Sequence, residues 1–178
     1  MKSGQIIEIP SSSSIFAEDF PPFETKLSEL KARLKRRDYN LFDGFLVGEH
    51  PGTSHFKLGQ RKGINVGGKK APLYVIGINT TTNQLFVGEG EQHPGLHTTV
   101  LKFAQPELPH DFKPSNLEEG QSVLVHSQLF EKEITAQCYL SDQSVFLEFE
   151  EAVPISIQDY PLQIKWGDLS KTTINLNK

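Results

Sequence analysis

At 178 residues the chain is long enough for one sizeable domain or two small ones, and 37% hydrophobic residues, with 12 Phe, suffice for a buried core. The formal charge of −4 hides an asymmetry: residues 1–70 carry 12 Lys and Arg against 8 Asp and Glu, a net of +4, whereas residues 71–178 carry 6 against 14, a net of −8. A polyanion is drawn to the first part and repelled by much of the second, because phosphate neutralisation dominates nucleic-acid affinity. No apolar run approaches the roughly 20 residues of a membrane-spanning helix, and Met1-Lys2-Ser3-Gly4 leads into no signal-peptide core, so a cytoplasmic protein with no membrane partner is expected. The single cysteine, Cys138, excludes an internal disulfide framework and any Cys-based zinc site within these residues.

In chain order, Ile6-Ile7-Glu8-Ile9 favours a strand, and Pro10 with the serine run Ser11 to Ser14 breaks regular structure. Pro21-Pro22 then gives way to a helix over 24–37. Leu27, Leu30 and Leu34 share one face, and Lys35-Arg36-Arg37 complement the dipole at its C-terminal end. Gly48-Glu49-His50-Pro51-Gly52, Leu58-Gly59-Gln60-Arg61-Lys62-Gly63 and Gly67-Gly68 make a stretch dense in glycine and cation. Two readings stand for it: structural turns that need positive φ, or backbone N–H groups and ammonium groups presented to anionic oxygen. The helix likewise offers a cationic face for a polyanion or a solvated face above a docked Leu stripe.

From Leu73 onward short apolar strands alternate with Gly, Pro, Asn and Asp, the pattern of an all-β barrel or sandwich. Leu73–Ile78 and Gln84–Val87 read as a hairpin about Asn79 to Asn83. Further strands are expected at Thr99–Phe103, Ser122–Ser127, Ile134–Leu140, Ser144–Phe149, Leu162–Trp166 and Thr172–Leu176. In the third of these, Ile134, Ala136, Cys138 and Leu140 share a face, so Cys138 reads as a small core hydrophobe and not a nucleophile.

Catalytic constellations fail in turn. Gly63 to Lys69 has P-loop spacing, but Lys70 stands where Ser or Thr holds Mg²⁺, and Ala71-Pro72 follows where a helix should begin. His93 and His97 have metal-pair spacing, yet Pro94-Gly95 between them argues for surface loop histidines. Glu148 and Glu150 alternate with Phe149 and read, with Glu151, as a solvated acidic strand edge. No catalytic residue, metal site or cofactor is assigned.

The glycine-rich stretch, together with Pro72-Leu73-Tyr74-Val75, Asn83, Val87-Gly88, His93-Pro94, Leu96, Phe149-Glu150-Glu151, Val153 and Gly167-Asp168, resembles bacterial tRNA-specific 2-thiouridylase, known in older usage as tRNA (5-methylaminomethyl-2-thiouridylate) methyltransferase. Lys2 to Ile7 also resembles the segment just upstream of the Gly-Glu-His run, which makes residues 10–43 an insertion. The resemblance implies a mainly β chain, with a small central domain over 1–72 that includes the inserted basic helix, followed by a six-stranded β-barrel over 73–178. It also implies what these residues do not contain: the Ser-Gly-Gly-Val-Asp-Ser phosphate loop of an ATP pyrophosphatase domain, and the cysteine pair that carries persulfide sulfur.

Within the barrel, Gln128-Leu129 stand where the family tends to have Arg-Tyr, Gln158-Asp159-Tyr160 where it has Pro-Gly-Gln, and Ser170 to Thr173 replace a glycine-rich ending. RNA contact is therefore expected from Lys57, Gln60, Arg61, Lys62, Lys69 and Lys70, with Arg33, Arg36 and Arg37 on the helix. Gly48, Glu49, His50, Gly52, Gly59, Gly63, Gly67 and Gly68 are the family motif. The function expected is a non-catalytic 2-thiouridylase-like protein that binds tRNA or assists its 2-thiouridine modification. The alternatives are a protein-interaction module that has lost RNA binding, or the non-catalytic subunit of a split enzyme whose partner is an ATP-pyrophosphatase-type chain.

Overall fold

The computed structural model describes residues 3–17, 19–104, 120–141, 144–166 and 173–176, and among them the chain is mainly β, with ten strands in two sheets and one α-helix. The expectations placed on Lys2, Gly167, Asp168, Ser170, Lys171 and Thr172 lie outside the described residues. The chain divides into two compact units, one of residues 1–20, 36–98 and 154–156, the other of residues 21–35, 99–153 and 157–178.

The first unit is built on a four-stranded sheet of β1 (Gly4–Glu8), β2 (Phe45–His50), β3 (Leu73–Asn79) and β4 (Gln84–Glu89), in the order β2-β1-β4-β3. β1 runs antiparallel to β2 and parallel to β4, so it is a central strand. Ile6 and Ile7 are therefore both fully buried, on opposite faces. Ile6 joins Phe56, Ile64, Leu73, Val75, Leu85 and Val87, and Ile7 joins Ile9, Tyr39, Ile76, Phe86 and Leu96. β3 and β4 form the expected hairpin. Asn79 Oδ1 accepts from the backbone N–H groups of Thr81 and Thr82, each at 3.1 Å, an Asx turn that closes it.

The expected start of the barrel at Leu73 is corrected: β3 and β4 belong to the first sheet. The hairpin was readable locally, but the parallel partner that recruits it, β1, lies about eighty residues upstream, and no local pattern records such a pairing.

The second unit holds α1 (Lys26–Lys35) and a six-stranded sheet of β5 (His97–Ala104), β6 (Gln121–His126), β7 (Ile134–Ser141), β8 (Ser144–Pro154), β9 (Leu162–Lys165) and β10 (Thr173–Leu176), in the order β10-β9-β6-β7-β8-β5. Leu101 and Phe103 of edge strand β5 share one core cluster with Leu162 and Ile164 of β9, which the sheet achieves by curling on itself. Ala136 and Cys138 point into this core, with Ile134 and Leu140 packed against it, as their alternation predicts.

The outer face of β7 and β8 is covered by α1. Leu30, fully buried, packs with Val100, Tyr139 and Phe146, flanked by Leu27 and Leu34. Glu148 departs from its expected role as part of a solvated edge. Its carboxylate accepts from Lys26 Nζ at 2.9 Å, from Arg33 and from the Tyr139 hydroxyl. Burial alone would raise its pKa, but the hydrogen bonds from Lys26 and Arg33 outweigh that and hold it below the ordinary carboxylate range. Glu150 and Glu151 are exposed, as expected.

Candidate nucleic-acid interface

The segment between β2 and β3 is an extended loop with a fixed course. At its start His50, only 3% exposed, accepts from the Gly52 N–H at Nδ1 (3.1 Å) and meets the Phe56 ring edge to face, with centroids 5.5 Å apart. Phe56, Leu58, Ile64 and Val66 then pin the loop to one face of the sheet.

Between these anchors Gly59 donates to the Val75 carbonyl (2.8 Å) and Gln60 accepts from the Val75 N–H (2.9 Å), so the loop briefly pairs with β3. The turn that follows needs positive φ at Gly59 (76°) and Gly63 (88°), conformations that cost a residue with a Cβ about 1 kcal/mol or more. Gly59 and Gly63 therefore meet a conformational need of the turn. The Gly63 to Lys70 run leads through Ala71-Pro72 into β3, not into a helix, which removes the helix N-terminus a phosphate-binding loop relies on.

The cations are what this course puts outside. Lys57, Arg61, Lys62, Lys69 and Lys70 are all exposed. Lys57, Lys62 and Lys70 form no ion pair among the described residues, Lys69 pairs with Glu8, and Arg61 lies beside the Tyr74 hydroxyl, which donates to Glu91 at 2.9 Å. Gln60 has a different task. Its Oε1 accepts from the Lys57 N–H (3.0 Å) and its Nε2 donates to the Lys62 carbonyl (2.8 Å), locking the turn that carries both lysines.

Arg33 of α1, and Arg36 and Arg37 just after it, are each engaged by neighbouring groups. Arg33 is spent on Glu29, Glu148 and Thr99. Arg36 donates to the carbonyls of Ala17 and Asp19 and stacks over Phe20, 3.7 Å from the ring centroid. Arg37 donates to the carbonyls of His97 (2.8 Å) and Gly95 (2.6 Å), and burial lowers its pKa from the ordinary value. A cationic run in sequence carries no record of which carbonyls and carboxylates will claim it.

Two further expectations meet the structure here. Cys138 is fully buried, and burial pushes its thiol up to about 12, so it is an inert core residue. His93, expected on the surface, is 2% exposed instead. Its Nε2 donates to the Ile9 carbonyl (2.9 Å) and its Nδ1 accepts from the Gly95 N–H (3.0 Å), which leaves neither nitrogen for a metal.

Desolvation, reinforced by Arg37, lowers the His93 pKa despite the opposing pull of the Ile9 carbonyl. The fold thus favours the neutral ring, and its contribution is present above the unfolded value of 6.5 and lost as pH falls below it. Thermal melts from pH 7 to pH 5 should show the wild type losing stability, and His93→Gln, though less stable overall, losing less across that window. Equal pH dependence in the two proteins would exclude this role.

Residues 29–89, which run from within α1 through the loop to the end of β4, match the family model described as tRNA methyl transferase PRC-barrel domain. The kinship is with the tRNA-specific 2-thiouridylases. The chain is 38% identical over 107 residues to tRNA-specific 2-thiouridylase MnmA of Christiangramia forsetii, covering 60% of this chain and 27% of that one. It is 34% identical over 152 residues to the MnmA of Karelsulcia muelleri, covering 84% and 37%, and 31% identical over 128 residues to that of Flavobacterium johnsoniae, covering 72% and 32%. The chain therefore spans about a third of the length of these 2-thiouridylases, and it is a relative of a tRNA-modifying family over that part. No helix among the described residues is long and apolar enough to cross a membrane.

Residues that sequence reasoning passed over lie at the start of β2 and in the turn before it. Phe42, Phe45 and Leu46 are exposed, although the run Leu41 to Val47 is as apolar as any core strand. The only local hint was Asn40 with Asp43, a capping pair that marks a short turn before β2.

Proposed function

We propose that these residues form a tRNA-holding module of the 2-thiouridylase type, which takes the tRNA backbone on the exposed cations of the loop from Lys57 to Lys70 and supplies no reacting group of its own. The observation that carries this reading is a set of outward ammonium groups held on a loop with a fixed course, in a chain related to enzymes named for their action on tRNA. Pre-ordered cations bind a polyanion without first losing the entropy of a flexible segment.

Thiolation of a uridine needs a sulfur nucleophile. Cys138, buried with its thiol raised to about 12, stays protonated near neutral pH and out of reach of any substrate. The activating and sulfur-carrying groups then come from another part of the polypeptide or from a separate ATP-pyrophosphatase-type subunit, in the cytoplasm. The exposed Glu150 and Glu151 of β8 favour a protein surface over RNA as the partner of the second unit.

Electrophoretic mobility shift with total tRNA tests this reading. A shift that weakens as salt rises and is abolished by Lys57→Ala, Arg61→Ala and Lys62→Ala together is the expected result. No shift even at low salt contradicts it.

A further inference from the structure

His50 closes β2 and is buried, yet one of its two ring nitrogens is left without a partner. Its Nδ1 accepts from the Gly52 N–H (3.1 Å), so the neutral ring carries its proton on Nε2. That Nε2 is buried and bonded to nothing among the described residues. A buried donor of this kind opposes folding, because the hydrogen bond it made to water is not replaced. Phenylalanine would fill the same place without that cost. What the imidazole offers and an apolar ring cannot is the Nδ1 acceptor.

The ring is fixed from β1. Gly4 stands opposite His50 in the β1–β2 register, and a Cβ on Gly4 would come within 2.3 Å of Nε2 and 2.4 Å of Cε1. The imidazole therefore lies in the room that this glycine leaves. Its two specific contacts are both made to the segment that follows β2. One is the N–H of Gly52, whose φ of 152° favours glycine, and the other is the Phe56 ring, met edge to face. Lys57 comes next in the chain. Gln60 Oε1 accepts from its N–H (3.0 Å) and Gln60 Nε2 donates to the Lys62 carbonyl (2.8 Å), so the course set at Gly52 and Phe56 is handed on to both lysines.

We infer that His50 is a positioning residue: through Nδ1 and the Phe56 ring it fixes where the loop leaves β2, and so holds Lys57 and Lys62 in the arrangement that meets phosphate. This rests on the tRNA-holding reading and deepens it, since His50 touches no RNA and acts only through the loop. Ordering the loop beforehand changes affinity without changing the number of phosphates neutralised. Loss of the Nδ1 acceptor therefore weakens binding and leaves the salt slope alone, whereas loss of the lysines themselves flattens it.

The test uses the full chain in three forms: the wild type, His50→Phe, which keeps a ring but has no acceptor, and His50→Asn, whose side-chain carbonyl can take the place of Nδ1. His50→Phe should bind total tRNA about tenfold more weakly with an unchanged salt slope, and amide exchange should quicken at Gly52 and Lys57. His50→Asn should recover most of the affinity and the slow exchange at Gly52. Long-range proton–nitrogen NMR spectra of the wild type, which need no variant, should show the neutral ring with its proton on Nε2. A proton on Nδ1 instead, a folded His50→Phe with wild-type affinity, or equal losses in the two variants overturns the inference. If the wild type binds no tRNA even at low salt, the tRNA-holding reading fails. Faster exchange at Lys57 in His50→Phe would then still uphold His50 as the residue that positions the loop, and unchanged exchange would overturn that as well.

Discussion

Replacing Lys57, Lys62 and Lys70 together by alanine lowers affinity for tRNA about a hundredfold at low salt and flattens the dependence of log K on log salt by about two to three units. These are the loop lysines to change because nothing else holds them: each is exposed and without an ion pair among the described residues. Lys69 and Arg61 are less clean probes, since removing them also leaves Glu8 or the Tyr74–Glu91 pair without its cation. Exposed substitutions of this kind change stability by less than about 0.5 kcal/mol, so a lost affinity reads as lost phosphate contact. The corresponding Lys→Arg triple variant should retain both affinity and slope. A triple alanine variant that binds with unaltered slope would remove the loop from the interface.

Leu30→Ala should cost about 3 kcal/mol in denaturant unfolding, the range expected for truncating a fully buried leucine whose site collapses only partly. Leu30 is the centre of the contact between α1 and the outer face of β7 and β8, with Val100, Tyr139 and Phe146 around it. The same contact is tied electrostatically one helical turn to either side, where Lys26 and Arg33 both reach Glu148. Glu148→Gln leaves those cations without their shared carboxylate, and its deficit should depend on pH. Because the folded carboxyl group is held below its ordinary value of 4.5, its stabilisation is fully present above that value. It is lost as pH falls through the folded value, so the two proteins converge in strong acid. A loss under 1 kcal/mol for Leu30→Ala, or a Glu148→Gln deficit that does not shrink on acidification, would show that the helix is not clamped in this way.

What the sequence made legible followed local periodicity. The Leu27, Leu30, Leu34 stripe predicted both the helix and its docking, and alternation about Cys138 predicted a core thiol. The helix is shorter than its charge pattern suggested, ending at Lys35, with the Arg36 and Arg37 guanidinium groups drawn onto backbone carbonyls. Features set by distant partners were not legible. Arg33 finds Glu148 115 residues away, and β1 takes β4 as a parallel neighbour, which moves the β3–β4 hairpin out of the barrel. The exposure of Phe45 is of the same kind, because an edge position in a sheet is a property of strand order and not of the strand. The loop was half legible: its glycines announced turns, but that Gln60 would hold the turn and leave the lysines outside required the pairing with Val75.

Lysine acetylation footprinting read by mass spectrometry, with and without tRNA, addresses the central claim residue by residue. Protection by tRNA at Lys57, Lys62, Lys69 and Lys70, with the exposed Lys102 and Lys132 of the second unit unchanged, is the predicted result. Protection confined to Lys102 and Lys132, with the loop lysines equally reactive in both states, would contradict it.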